Sequence, residues 1–197
     1  MATNKDAAFG LRPIGKVGQN RDNQGLSEYS IASGTTSAIY QNDPVQALAT
    51  GYIGVQNTTT GVILGSLNGV FYTDPTTSKP TFGNYWPGDI NASDAVAFVS
   101  DDPYERFEIQ ASTTLPIASI NALADLATYV SSDSRISKVS SVELNTSAVS
   151  TTTDQFKILG VTKDIANNEL ANATTYAANV NVVGTINRHF LKETSGV

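Results

Sequence analysis

The 197-residue sequence has no cysteine and only one histidine, one tryptophan and one methionine. The absence of cysteine excludes disulfides, thiolate metal ligands and cysteine nucleophiles, so stability has to come from packing, with self-association as the natural supplement. Charge is scarce as well. Charged residues make up 15% of the chain, well below the usual quarter. Ser, Thr, Asn and Ala fill the deficit, a mixture suited to broad uncharged β-surfaces that meet other protein surfaces. The net charge of −6 argues against a nucleic-acid partner, because phosphate contacts need clustered Lys and Arg. No apolar run approaches the length of a membrane span, and the first 20 residues lack an apolar core of the signal-peptide type. The expectation is therefore no nucleic-acid and no membrane partner.

What is present reads as β-structure. Apolar residues make up 40% of the chain, enough for a sizeable core. Residues 28–31, 95–99 and 106–111 alternate as half-buried or buried strands, with Phe107, Ile109 and Ala111 inward in the last. Residues 62–72 carry apolar side chains on both parities, as in a strand covered on both faces or one broken at Asn68-Gly69. Residues 155–161 and 179–187 are the last two strands, and 167–178 between them is either a short helix or a long hairpin loop. About nine or ten short strands punctuated by turns predict an all-β sandwich or barrel, jelly-roll-like, with one short helix. The helix is expected over 116–129, where Thr114 can cap, Pro116 suits a first turn and Ile120, Leu123 and Ala127 share a stripe. A Ser-rich, low-complexity stretch, 131–153, follows it.

Residues 1–26 stand apart. They hold four glycines and only scattered apolar side chains, too few to offset the entropy of ordering unless another surface supplies the other half of the contact. Four of the 12 basic residues lie here against two acids, a charge of +2, which leaves −8 on the remaining residues. A positive arm on a negative body, 27–197, suggests attachment to another protein. Phe9, Leu11, Arg12, Pro13 and Ile14 are the anchor candidates, by adding a strand or by filling pockets. The turn-rich segment 73–90 carries Phe82, Tyr85 and Trp86, which form either a second interface, a sugar-stacking platform or a pin holding the loop to its own domain.

Signals for catalysis are weak. His189 has no G-x-S-x-G elbow or comparable feature beside it and reads as a surface or hydrogen-bonded side chain. Asp101, Asp102 and Glu105 form the one acidic cluster, without the spacing of a Ca²⁺ loop, and read as a solvated turn. No phosphate loop or zinc pattern occurs, so no catalytic, cofactor or metal residues are expected.

Several short motifs run in a distinctive order: Ala8-Phe9-Gly10-Leu11-Arg12-Pro13-Ile14, Tyr29-Ser30-Ile31-Ala32-Ser33-Gly34, Asp43-Pro44-Val45 and Tyr85-Trp86-Pro87. Asp101-Asp102-Pro103 with Phe107-Glu108-Ile109-Gln110, and Ile186-Asn187-Arg188-His189, complete the set. This order resembles small structural proteins of tailed bacteriophages, marine ones especially, associated with capsid decoration or cementing. The resemblance implies a non-enzymatic protein on the outer surface of the virion, with the major capsid protein as partner and a trimeric self-assembly at three-fold or quasi-three-fold positions. The alternatives are a carbohydrate-binding or fibre component that recognises a host glycan through the Trp86 loop and, behind it, a hydrolase acting on wall polymers.

Overall fold

The computed structural model describes residues 4–18, 25–127, 137–150, 152–164 and 170–193. Among them the strands are β1 (Arg12–Lys16), β2 (Ser27–Ser30), β3 (Pro44–Ala47), β4 (Ile53–Val55), β5 (Gly65–Thr73), β6 (Pro80–Gly83), β7 (Val96–Ser100) and β8 (Glu105–Gln110). They continue with β9 (Leu115–Pro116), β10 (Leu123–Leu126), β11 (Leu144–Ser150), β12 (Phe156–Val161), β13 (Leu170–Asn172), β14 (Thr175–Tyr176) and β15 (Asn181–Ile186).

The chain is nearly all β and its sheets are antiparallel and open, the arrangement of a β-sandwich and not of a closed barrel. Sheet A runs β1-β8-β15-β12-β10-β11. Sheet B runs β2-β7-β5-β3-β4, with β6 also paired to β5. One core lies between them, in which Phe107, Ile109, Phe156, Val182 and Ile186 of sheet A meet Val45, Leu67, Val70 and Val99 of sheet B. The mixed parity of residues 62–72 has a local cause. The register of β5 against β7 shifts between Leu67 and Gly69, so a bulge at Asn68 lets Leu67 and Val70 both point inward.

Two expectations are corrected here. The helix over 116–129 is absent: no helix of seven or more residues occurs among the described residues. Leu115 and Pro116 instead pair with β14, and Ile117–Ser119 makes a single 3-10 turn. Asn121 then takes a left-handed conformation at φ 73°, and Leu123–Leu126 lies between β11 and β12. Of the expected stripe only Leu123 lies in this strand and is buried, while Ile120 and Ala127 are half-buried on either side of it; the buried set is Leu123, Ala124 and Leu126, brought to the core by a register shift between Ala124 and Leu126. Residues 128 and 129 lie outside the described residues. In the region left open, β13 and β14 form a hairpin. The Ser-rich stretch contributes β11, the edge strand of sheet A.

The second correction concerns the arm. Residues 4–18 belong to the sandwich. β1 pairs with β8 in the register Arg12↔Glu108, Pro13↔Phe107, Gly15↔Arg106 and Lys16↔Glu105. Leu11 is fully buried, its N–H donating to the Asn42 carbonyl at 2.9 Å and its carbonyl accepting from Ser66 Oγ at 2.6 Å. The segment is thus bonded to sheet A through its strand and to sheet B through Leu11. Gly10 makes the crossing possible. At φ +73° it runs so close to the body that a Cβ there would lie 2.4 Å from both the Asn42 carbonyl oxygen and Ser140 Cβ. Residues 1–3 and 19–24 of the expected arm lie outside the described residues.

The sheets are stitched a second time elsewhere. Fully buried Gln155 donates through Nε2 to the carbonyls of Thr58 (2.9 Å) and Gly61 (2.8 Å), while its Oε1 accepts from Leu126 N–H (3.2 Å). Next to it, Ile63 N–H donates to the Arg188 carbonyl and Phe190 N–H donates to the Ile63 carbonyl, both at 2.9 Å.

Candidate binding surfaces

The polar groups singled out as chemistry candidates are used in construction. Asp101 accepts from Ser27 Oγ at 2.8 Å and from the Tyr29 hydroxyl at 2.6 Å, fastening β2. Burial, reinforced by the bond to Asp101, pushes the Tyr29 phenol far up. Asp102 pairs with Lys16 Nζ at 2.7 Å and accepts from Tyr104 N–H at 2.8 Å. Burial works against the charged form of Asp102, but the bonds from Lys16 and from Tyr104 N–H, together with the Lys16 charge, outweigh it and hold the carboxyl below its ordinary value. The bond to Asp102 raises Lys16. Buried Glu105 accepts from Gly15 N–H at 3.0 Å, and desolvation raises its carboxyl. The acidic cluster therefore fastens β1 and β2 and is not a solvated turn. Among the described residues no group of three or more His, Cys, Asp or Glu side chains is placed to hold a metal ion.

His189 is not a surface residue. It is fully buried, and its Nδ1 accepts from Leu191 N–H at 3.1 Å, capping the 3-10 turn Phe190–Lys192. Burial, with the nearby Lys192 ammonium adding to it, lowers its pKa to about 4, so the imidazole is neutral at physiological pH. Its Nε2 has no hydrogen-bond partner among the described residues. A ring held this way in the core, lining none of the cavities described below, is a cap.

The N-terminal anchor candidates divide. Leu11 is core. Phe9 is half-buried beneath the Arg12 guanidinium, which lies 4.6 Å from its ring centroid, and its carbonyl accepts from Asn42 Nδ2 at 3.1 Å. Arg12 pairs with buried Glu108, which also accepts from Thr162 Oγ1 at 2.6 Å. Pro13 is half-buried, and Ile14 is 42% exposed. As a strand edge β1 is guarded: Pro13 offers no N–H, and the register shift between Pro13 and Gly15 breaks the ladder. Addition of a partner strand is therefore disfavoured, and any contact has to be made by side chains.

Such side chains surround β1. Ile14 and Leu26 line a cavity of about 290 Å³ at the edge of the sandwich, together with Pro13 and Ser100. On the outer face of sheet A, Val17 and Tyr104 line a second, of about 330 Å³, with Leu159, Lys157 and Lys192. Tyr104 is 63% exposed and Val17 51%. The sequence pattern missed Leu26 and Tyr104, because each stands at a strand end or turn, where alternation gives no direction.

The aromatic trio also divides. Trp86 is fully buried, edge-on to Tyr72 with centroids 5.4 Å apart, and its Nε1 donates to the Thr35 carbonyl at 3.3 Å. It is core, which corrects its role as an interface or sugar contact. Tyr85 is half-buried against Tyr40, and the Lys138 ammonium sits over both rings at 5.5 and 5.8 Å. Only Phe82 faces outward, 76% exposed and 4.7 Å from Phe71 in centroid distance. It borders a groove of about 350 Å³ on the outer face of sheet B, opposite Phe98 and beside Asn68 and Asn84. Comparisons with protein-family models, with curated proteins and with solved structures find no match.

Proposed function

We propose that this chain is a bacteriophage capsid decoration protein that sits on the outside of the assembled head, bridges neighbouring capsomers and catalyses nothing. The observation that carries the reading is the ring of exposed apolar side chains Ile14, Val17, Leu26 and Tyr104 around β1, beside a strand edge closed to pairing. Apolar side chains clustered on so weakly charged a surface are the ordinary material of a protein–protein contact. The grip comes from a rigid rim and not from an arm that orders on binding, so the contact requires little further ordering of backbone. The motif Ala8–Ile14, on which much of the resemblance to capsid-decorating proteins rests, supplies Ile14 to that rim. The partner is the major capsid protein, and self-association as a trimer repeats a weak contact and multiplies its avidity. The rival glycan reading based on Trp86 is not retained, because that ring is enclosed. A hydrolase reading lacks support in the same way, since His189 and the Asp101 cluster are engaged in holding the fold.

The test is co-sedimentation of purified chain with heads lacking it, for wild type and for an Ile14→Glu, Tyr104→Ala double variant. The double variant should bind at least tenfold more weakly with its unfolding midpoint little changed, since removing two interface side chains costs about 1–2 kcal/mol each. Sedimentation equilibrium should give three times the chain mass. Wild-type affinity in the double variant would overturn the rim as the binding surface, and failure of the wild type to bind heads would overturn the whole reading.

A further inference from the structure

We infer that the groove on the outer face of sheet B is a binding site for a neutral saccharide. This inference is independent of head binding, and three features of the groove carry it. The first is shape. In the register of sheet B, Phe98 lies opposite Gly69, and Val70 lies opposite Gly83, so the next step places Asn84 on the far side of Gly69. Phe98 and Asn84 are then two strand spacings apart, about 9–10 Å. The residue between them has no side chain, which leaves a slot about as wide as one pyranose ring plus its contacts. Phe82 stands at the end of the slot, held against Phe71. The second feature is the chemistry of the walls. Phenyl rings offer apolar faces to the C–H-bearing face of a sugar, and the carboxamides of Asn68, Asn84 and Gln41 both donate and accept, as hydroxyl groups require.

The third feature is what the groove refuses. Among the described residues no charged side chain lines it, so a phosphate, a sulfate or an acidic sugar finds no counter-charge from them. The floor of the groove offers an extended peptide no free backbone, because β5 is already paired to β6 on one side and to β7 on the other. Asn84 Nδ2 donates to Gln41 Oε1 at 3.3 Å, and an apolar peptide side chain would cover the remaining donors and acceptors of the three carboxamides without satisfying them, which costs affinity. A hydroxyl-rich, uncharged ring meets all three conditions.

Titration of ¹⁵N-labelled full-length chain with maltotriose, cellotriose and triacetylchitotriose, each to tens of millimolar, tests the assignment. At least one should produce saturable shifts centred on the amides of Asn68, Gly69 and Asn84, with a millimolar Kd. Phe82→Ala and Asn84→Ala should each weaken that binding at least tenfold in a spectrum that otherwise remains that of the folded protein. Absence of saturable shifts with all three sugars overturns the assignment, as do shifts that persist unchanged in both variants. Co-sedimentation of Phe82→Ala with heads should equal wild type. If Phe82→Ala instead loses heads, this face docks on protein and the saccharide site is wrong, whatever the fate of the rim.

Discussion

Two segments of this chain look equally suited to reach a partner, residues 4–18 and the turn-rich stretch 73–90, and the structure treats them in opposite ways. The first, rich in glycine and with Phe9 as its one aromatic residue, is built into the sandwich, with Leu11 in the core and Gly10 wedged against Asn42 and Ser140. The second, rich in aromatics, splits: Trp86 goes inside, Tyr85 goes halfway, and Phe82 is left facing outward. Composition says how much a segment has to bury, while its direction is set by what it pairs with. Backbone bonds to strands some 90 residues away order the first segment, and a bridge between Ile39 and Trp86 turns the indole inward in the second.

The sharpest way to break this comparison is at Gly10. Gly10→Val should cost at least about 3 kcal/mol, because a left-handed backbone and a hard overlap with Asn42 and Ser140 act together. Gly18, at φ +69° with nothing near its virtual Cβ, supplies the control, and Gly18→Ala should cost only about 1 kcal/mol. Urea unfolding of both variants decides the matter: equal small losses would mean that the segment is not part of the folded body.

A second measurement probes the other seam of the sandwich, where His189 is buried near Ile63. The unfolded chain takes up this proton near pH 6.5, the folded chain only near pH 4. Stability is therefore whole above about pH 6.5 and declines as the pH falls through that window, by about 2–3 kcal/mol at pH 4. His189→Asn, whose Oδ1 can still accept from Leu191 N–H, should flatten the unfolding free energy between pH 6.5 and 5, where most carboxylates stay ionised. An unchanged slope would show that the histidine is already solvated or charged.

The smallest effect concerns the ion pair that fastens the N-terminal strand from outside. Lys16→Met should lower stability by no more than about 1 kcal/mol, and the difference from wild type should shrink in molar salt. A larger loss that persists in high salt would mean that the aliphatic stem of Lys16, and not its charge, secures the strand.

Where side chains alternate along an uninterrupted strand, the fold was legible. Phe107, Ile109 and Ala111 point inward as their parity requires, and the all-β sandwich follows from such runs. Where a bulge intervenes, parity fails, as at Asn68 and at Asp125. The binding surfaces were less legible for a related reason. Phe82 and Ile14 were visible as candidates, but their neighbours Phe98, Asn84, Leu26 and Tyr104 come together only through cross-strand register, which a single run of residues does not contain. Of the two readings of His189, surface or hydrogen-bonded, only the second holds, because the chain leaves strand geometry after Ile186 and the ring lies in the core.

The bond between Arg12 and Glu108 joins residues 96 positions apart. On a ribosome adding about 5–20 residues per second, the first strand waits several seconds for its neighbour to emerge. Until then Arg12 and the Gly15 N–H lack their glutamate partners on β8, and the sandwich cannot seal along that side. Folding dominated by such distant pairings is intrinsically slow, on a scale of milliseconds to seconds even for a finished chain. Synthesis of this protein thus passes through a stage with an open hydrophobic seam, in which aggregation competes with closure.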